Sequence, residues 1–119
     1  YGGIWQCVTG KIESGEKPVE TAIRELKEET GLSPINKWTV DQVNHFYEVE
    51  FDRMNLIPIF GVEVDSLIVN LSDEHRDYKW CNIKEAAELF TWTQQKNGLL
   101  AFYEMLTSER EKLTFSKII

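Results

Sequence analysis

The stretch from Gly10 to Leu32 constrains this chain more than any other part of it. Gly10 and Gly15 bracket a polar loop, and Pro18 stands where a helix can begin, because its missing N–H is unneeded in a first turn. The spacing predicts a helix from Lys17 to Thr30, ended by Gly31 as a residue able to take positive φ. On a helical wheel Val19, Ala22, Ile23, Leu26 and Thr30 share one arc and should face a core. Glu25, Glu28 and Glu29 share another, related by steps of three and four residues.

Such a carboxylate stripe is unfavourable by itself. Like charges one turn apart repel, and here they lie in the last turns, where the helix dipole also disfavours anions. A hard divalent cation reverses the sign of the problem, since Mg2+ takes oxygen ligands and keeps positions open for water and phosphate. A solvated acidic helix face is the plain alternative. Arg24 belongs to the same argument: its guanidinium can fork two carboxylates, so it should brace Glu16 or Glu28 rather than bind phosphate.

The remaining pattern is mixed. Ile4–Thr9 alternates like a short strand before the loop. Trp38–Phe51 reads as a long strand bent near Asn44, Asp52–Asn55 as a turn, and Leu56–Val64 as a strand whose Pro58 marks an edge or a bulge. Leu67–Leu71 is either a third apolar strand or a loop, and Tyr78–Trp80 looks like another strand. Lys84–Phe90 and Gln94 to about Lys112 read as helices. The expected order is β–α–β–β–β–α–α, an α+β domain.

The 119 residues suit one domain with a core of its own, and 42% hydrophobic content argues against global disorder. The formal charge of −7 makes a long nucleic acid a poor partner, while a small phosphate compound stays open if cations stand between the acids and the phosphates. Cys7 and Cys81 are too few for a disulfide framework, and reduced, half-buried thiols are expected. With no apolar run of membrane-spanning length and no signal-like segment, the expected setting is cytoplasmic, without membrane contact. The chain opens at Tyr1 rather than Met, so the numbering is read as starting inside a longer protein.

The fixed positions Gly10, Glu16, Arg24, Glu25, Leu26, Glu28, Glu29, Gly31 and Leu32 resemble the Nudix box without a departure. Ordinary residue frequencies would produce such a match by chance about once in ten million chains of this size. The resemblance implies a Nudix-type mixed β-sheet sandwiched between α-helices (α/β/α) in one domain, 1–119. It also implies further strands before the box, often with a substrate-contacting arginine, of which only the last few residues are expected within this numbering. It implies hydrolysis of a phosphoanhydride in a nucleoside diphosphate derivative. Glu25, Glu28 and Glu29 would hold metal, helped by the Gly10 carbonyl, with Mg2+ as cofactor and Mn2+ as a substitute.

A finer likeness, carried by Trp5–Gly10, Glu13–Glu16 and Glu74–Trp80, is to the bacterial dATP and dihydroneopterin triphosphate pyrophosphohydrolase branch. That branch implies a further metal ligand from a loop, assigned here to Glu74, whereas His75 beside it is read as a surface or hydrogen-bonding side chain. Glu28 and Glu74 are the candidates for proton acceptor, with Arg24 completing the expected catalytic set. Trp5, Thr9 and Tyr47 are candidate nucleoside contacts and the Trp92 loop a candidate pocket edge, each against the plain alternative of an ordinary sheet or core residue. Three readings follow: a triphosphate pyrophosphohydrolase releasing pyrophosphate; a dinucleoside polyphosphate or nucleotide-sugar hydrolase; or a catalytically silent nucleotide-binding domain. A homodimer is an expectation by analogy.

Overall fold

A computed structural model describes residues 7–10, 12–73 and 77–119. In chain order the elements are α1 (Pro18–Thr30), β1 (Pro34–Glu48), β2 (Arg53–Val64), α2 (Ile83–Leu89), α3 (Thr93–Thr107), α4 (Arg110–Ser116) and β3 (Lys117–Ile118). The α+β class holds. Among the described residues the sheet has three strands in the order β2-β1-β3, every pair antiparallel. Of the expected strand Ile4–Thr9, residues 4–6 lie outside the described set, and Cys7–Thr9 is irregular.

The box helix forms as its local signals dictate. Pro18 opens it, the Lys17 N–H donates to the Glu20 carboxylate at 2.8 Å, and Gly31 closes it at φ 74° with its N–H on the Lys27 carbonyl. Its burial differs from the wheel. Thr21 and Glu29 are the buried residues of α1, while Val19, Ala22, Ile23 and Leu26 are only partly covered. The reason is a cavity of about 820 Å³ between this helix and the sheet, onto which Ala22 and Leu26 open.

Among the described residues β1 is central and β2 an edge, one of the two settings expected for Pro58. The expected bend is a register shift between Thr39 and Val43, just ahead of Asn44. The reversal comes earlier than expected: Val49–Phe51 makes a 3-10 turn, Asp52 takes a left-handed conformation, and β2 already starts at Arg53. Leu67–Leu71 is a loop, and Tyr78–Trp80 has no strand pairing among the described residues; the Trp80 indole N–H donates to the Leu67 carbonyl instead. The predicted last helix breaks at Ser108–Glu109 into α3 and α4. The chain thereby turns so that β3 can pair with Lys37 and Trp38 and so that Lys112 can bond Asp41 at 2.9 Å.

α3 packs on the sheet face that carries Trp38, Ile59 and Gly61. The Trp38 and Phe102 rings lie 5.7 Å apart, and Met105 of the same helix is fully buried. Ile57, Pro58, Ile59, Phe60 and Val62 of β2 line the cavity that α1 borders. Phe102 points end-on at Gly61, where a Cβ would lie 2.2 Å from the ring. Gly61→Ala is therefore expected to cost about 1–3 kcal/mol by overpacking, read as a lowered urea midpoint. Among the described residues no helix is long and apolar enough to cross a membrane.

Candidate active site

The site is organised around Arg24. Its Nε donates to Glu16 Oε2 at 2.8 Å and its Nη2 to Glu16 Oε1 at 3.0 Å, the two-pronged fork expected between these residues. Its Nη1 reaches Glu25 at 2.7 Å and Glu28 at 3.1 Å, with Glu13 at 3.6 Å. One guanidinium thus ties the box loop to the carboxylate stripe, and both expected partners, Glu16 and Glu28, are engaged. Glu16 also accepts from the Glu13 N–H at 2.8 Å and the Thr21 hydroxyl at 3.0 Å. The Arg24 bonds first, then the Glu13 amide, hold the Glu16 carboxyl at about 2 against an ordinary 4.5, with partial burial opposing and Thr21 assisting. The same contacts push the Arg24 guanidinium further toward permanent charge.

This depressed carboxyl fixes a sign. The protonated form of Glu16 is favoured in the unfolded chain, so its contribution to stability is complete above pH about 4.5 and is lost as pH falls toward about 2. Glu16→Gln should therefore flatten the fall in thermal midpoint between pH 5 and 2 relative to the unaltered chain, as followed by circular dichroism. An unchanged profile would mean that the fork does not survive in solution.

The three stripe glutamates differ in surroundings. Glu25 has a side-chain exposure of 16%, Glu28 of 58%, and Glu29 is buried at 8% for the whole residue. Together with Ser72 and Asp73 they line a cleft of about 260 Å³. The loop that closes it hangs from the end of α1: the Asn70 N–H donates to the Thr30 carbonyl at 2.8 Å and the Ser72 N–H to the Glu29 carbonyl at 3.2 Å. Helix-end carbonyls, otherwise without partners, hold the second loop beside the acids. Glu74 and His75, the residues singled out in that loop, lie outside the described set.

The donors fit a hard cation by their chemistry. Carboxylate oxygens line a polar cleft, and the Ser72 hydroxyl is buried there without a hydrogen-bond partner among the described residues. They are not preassembled. Among the described residues no three acidic, histidine or cysteine side chains converge as an ion site, because Arg24 Nη1 bridges Glu25 and Glu28. Gly10 lies directly against Glu25: a Cβ on Gly10 would fall 2.2 Å from the Glu25 Cγ and Cδ atoms.

Glu25 also lines the larger cavity, whose other walls come from the box loop, β1, β2 and the start of α3. Thr9 and Trp92 line it, whereas Tyr47 does not. Tyr47 stands at the exposed hairpin end and donates its hydroxyl to Asp52, because the turn begins earlier than the sequence pattern suggests. Trp5 is outside the described residues. Cys7 borders the cavity, exposed as a residue while burial of its thiol raises the pKa, and Cys81 is partly covered. Among the lining residues that escaped the sequence reading are three amides, Asn44, Gln94 and Gln95. Isolated amides in a strand and at a helix start carry no spacing signal that would mark them.

The octanoyltransferase of Myxococcus xanthus is 35% identical over 95 residues, 73% of this chain, yet the chain spans only 25% of that protein. The dihydroneopterin triphosphate diphosphatase of Haemophilus influenzae is 34% identical over 119 residues, covering 90% of this chain and 73% of that protein. The asymmetrical bis(5'-nucleosyl)-tetraphosphatase of Mus musculus is 27% identical, covering 87% of this chain and 73% of that protein. A Listeria monocytogenes structure described as a NUDIX hydrolase superposes with a TM-score of 0.71 at 26% identity, over 92% of this chain and 79% of that one. The family model for the NUDIX domain matches residues 1–102, and with the box residues assembled as described, the chain belongs to the Nudix hydrolases.

Proposed function

We propose that this Nudix hydrolase, one of a family acting on nucleotide phosphoanhydrides with divalent metal ions, hydrolyses a nucleoside triphosphate or a related compound of the dATP or dihydroneopterin triphosphate type and releases pyrophosphate. The supporting observation is that Glu25 borders both the small acidic cleft and the large, mainly apolar cavity. A triphosphate on a flat heterocycle has that division: a charged end needing cations beside an end that gains from leaving water.

In this reading Glu25, Glu28 and Glu29 hold Mg2+, or Mn2+ in its place, assisted by the Gly10 carbonyl and by Glu74 from the second loop. When bound, the cation would neutralise phosphate charge and lower the pKa of a nearby water. The chain's own residues do the rest. Arg24 keeps the carboxylates oriented and remains clear of phosphate, bound as it is to Glu16. Buried Glu29 offers a fixed oxygen set, whereas exposed Glu28 has the freedom to accept the proton of an attacking water, a role it shares as candidate with Glu74. Thr9 and Trp92 line the wall that would receive the heterocycle.

A second reading, cleavage of a dinucleoside polyphosphate, is favoured by the likeness to the mouse tetraphosphatase. One experiment separates them: magnesium-dependent hydrolysis of dATP, the other deoxynucleotides, dihydroneopterin triphosphate and diadenosine polyphosphates in parallel, with products resolved. Nucleoside monophosphate plus pyrophosphate from a triphosphate supports the first reading. Preferential cleavage of the dinucleotides supports the second, and no turnover of any compound at any metal concentration leaves a binding domain.

A further inference from the structure

The end of the β1–β2 hairpin presents its apolar residues to solvent. From Val43 to Glu48 the strands pair without interruption, with Val43 opposite Pro58, His45 opposite Leu56 and Tyr47 opposite Met54. Cross-strand partners share a face, as do alternate residues along a strand, so these six side chains point to one side. All six residues are exposed, Leu56 to 73%, while Asn44, Glu48 and Asn55 of the other side are half covered. A half-buried antiparallel pair ordinarily places polar residues outward and apolar ones inward. The adjoining turn adds two more exposed apolar residues, Val49 and Phe51.

The exposed area is large. At about 150–250 Å² for a whole large side chain, Val43, Tyr47, Val49, Phe51, Met54 and Leu56 together expose about 700 Å². That is more contiguous apolar surface than most monomers carry, and it approaches the about 800 Å² that each partner gives to a standard interface. The face is also held in place from behind. The Gln94 side chain accepts from the His45 N–H and donates to the His45 carbonyl at 2.8 Å, which pins β1 to the start of α3 and leaves little to order on association. Polar groups at its margin already have partners: Arg53 pairs with Glu48 at 2.6 Å, and the Tyr47 hydroxyl donates to Asp52.

We propose that two copies of this chain associate through this hairpin face about a two-fold axis, with Tyr47, Met54 and Leu56 as the apolar anchors. A partner recruited by charge would have to be basic to suit a chain of net charge −7, and the six face positions include no acid to receive it. An apolar face without such charges complements itself, and a two-fold contact uses the same patch on both copies. Tyr47 is then an interface residue. The association goes beyond the proposed hydrolysis and does not depend on it.

The test is sedimentation velocity of the chain over about 1–200 µM, a range that brackets micromolar affinity. The mass is expected to rise from one chain to two. Added salt should tighten the association, because two copies of charge −7 repel and salt cuts the reach of that repulsion to about 10 Å at 0.1 M. Leu56→Lys lowers the net negative charge, which by itself favours association. It is nevertheless expected to weaken the dimer about 30-fold or more, by placing an ammonium group in an apolar contact. Ile68→Lys, at a 76% exposed residue beyond the far end of β2, should leave the dimer unchanged. Circular dichroism confirms folding, and Met54→Lys serves if Leu56→Lys fails to fold. A single-chain mass at every concentration, a dimer indifferent to the folded face variant, or a dimer loosened by salt would overturn the inference.

Discussion

Glu29→Gln is expected to cut turnover by about 10²–10³-fold, about 3–4 kcal/mol of barrier, with the fold intact. The substitution keeps the shape of a residue that is only 8% exposed, and the Ser72 N–H bond to its backbone carbonyl is untouched. What changes is one negative charge and one oxygen donor in the acidic cleft. If that carboxylate holds metal, magnesium titrations of the variant should also shift to higher concentration. A drop of less than about tenfold, or about 1.4 kcal/mol, with the magnesium midpoint unmoved would make the metal assignment of Glu29 untenable. Retained turnover with a shifted magnesium midpoint would instead place Glu29 as a metal ligand whose loss is offset at saturation.

That experiment turns on a residue whose place on the carboxylate stripe is legible in the sequence and whose burial is not. The box helix was readable because its signals are local: Pro18 at the start, Gly31 at the end, and acids at turn spacing. The Arg24–Glu16 fork was readable because a flexible cation eight residues along finds the loop acid once the helix exists. Burial of Glu29 beside an open Glu28 depends on the loop of Asn70 and Ser72 bonding back to the helix end, a contact some forty residues away that no wheel contains. Tertiary demands also broke the last predicted helix. Ser108 carries neither Gly nor Pro to announce a break, and the two-residue strand Lys117–Ile118 is too short to show alternation. The sequence pattern puts the turn at Asp52–Asn55 and leaves Tyr47 as a candidate pocket aromatic. With the reversal at Val49–Phe51 it stands opposite Met54 at the hairpin end. Asn44, Gln94 and Gln95 come to line one cavity, and Gln94 meets His45 49 residues away, only through folding.

Gly10→Ala should separate activity from stability more cleanly than any carboxylate change. Gly10 is not among the residues with positive φ, so an alanine backbone is allowed there, and a shorter list of unfolded conformations favours the variant slightly. The three atoms nearest the new methyl all belong to Glu25, whose Cγ and Cδ would sit 2.2 Å from it. A carboxylate arm can swing away at little cost in stability, but it then leaves the junction between the cleft and the cavity and pulls on its 2.7 Å bond to Arg24. Misplacement of a reacting group by about 1 Å can cost about 10²-fold, and a loss of that order in kcat is expected with the urea midpoint nearly unmoved. The Gly10 carbonyl is retained, so the loss would not come from removing a ligand. A variant with full activity would show that Glu25 works from elsewhere than beside this glycine. A variant that unfolds would show that the loop, rather than the side chain, is what cannot yield. The Glu25→Gln variant is the control, because it removes the charge and leaves the Gly10 contact in place, and adding Gly10→Ala to it should then cost little more.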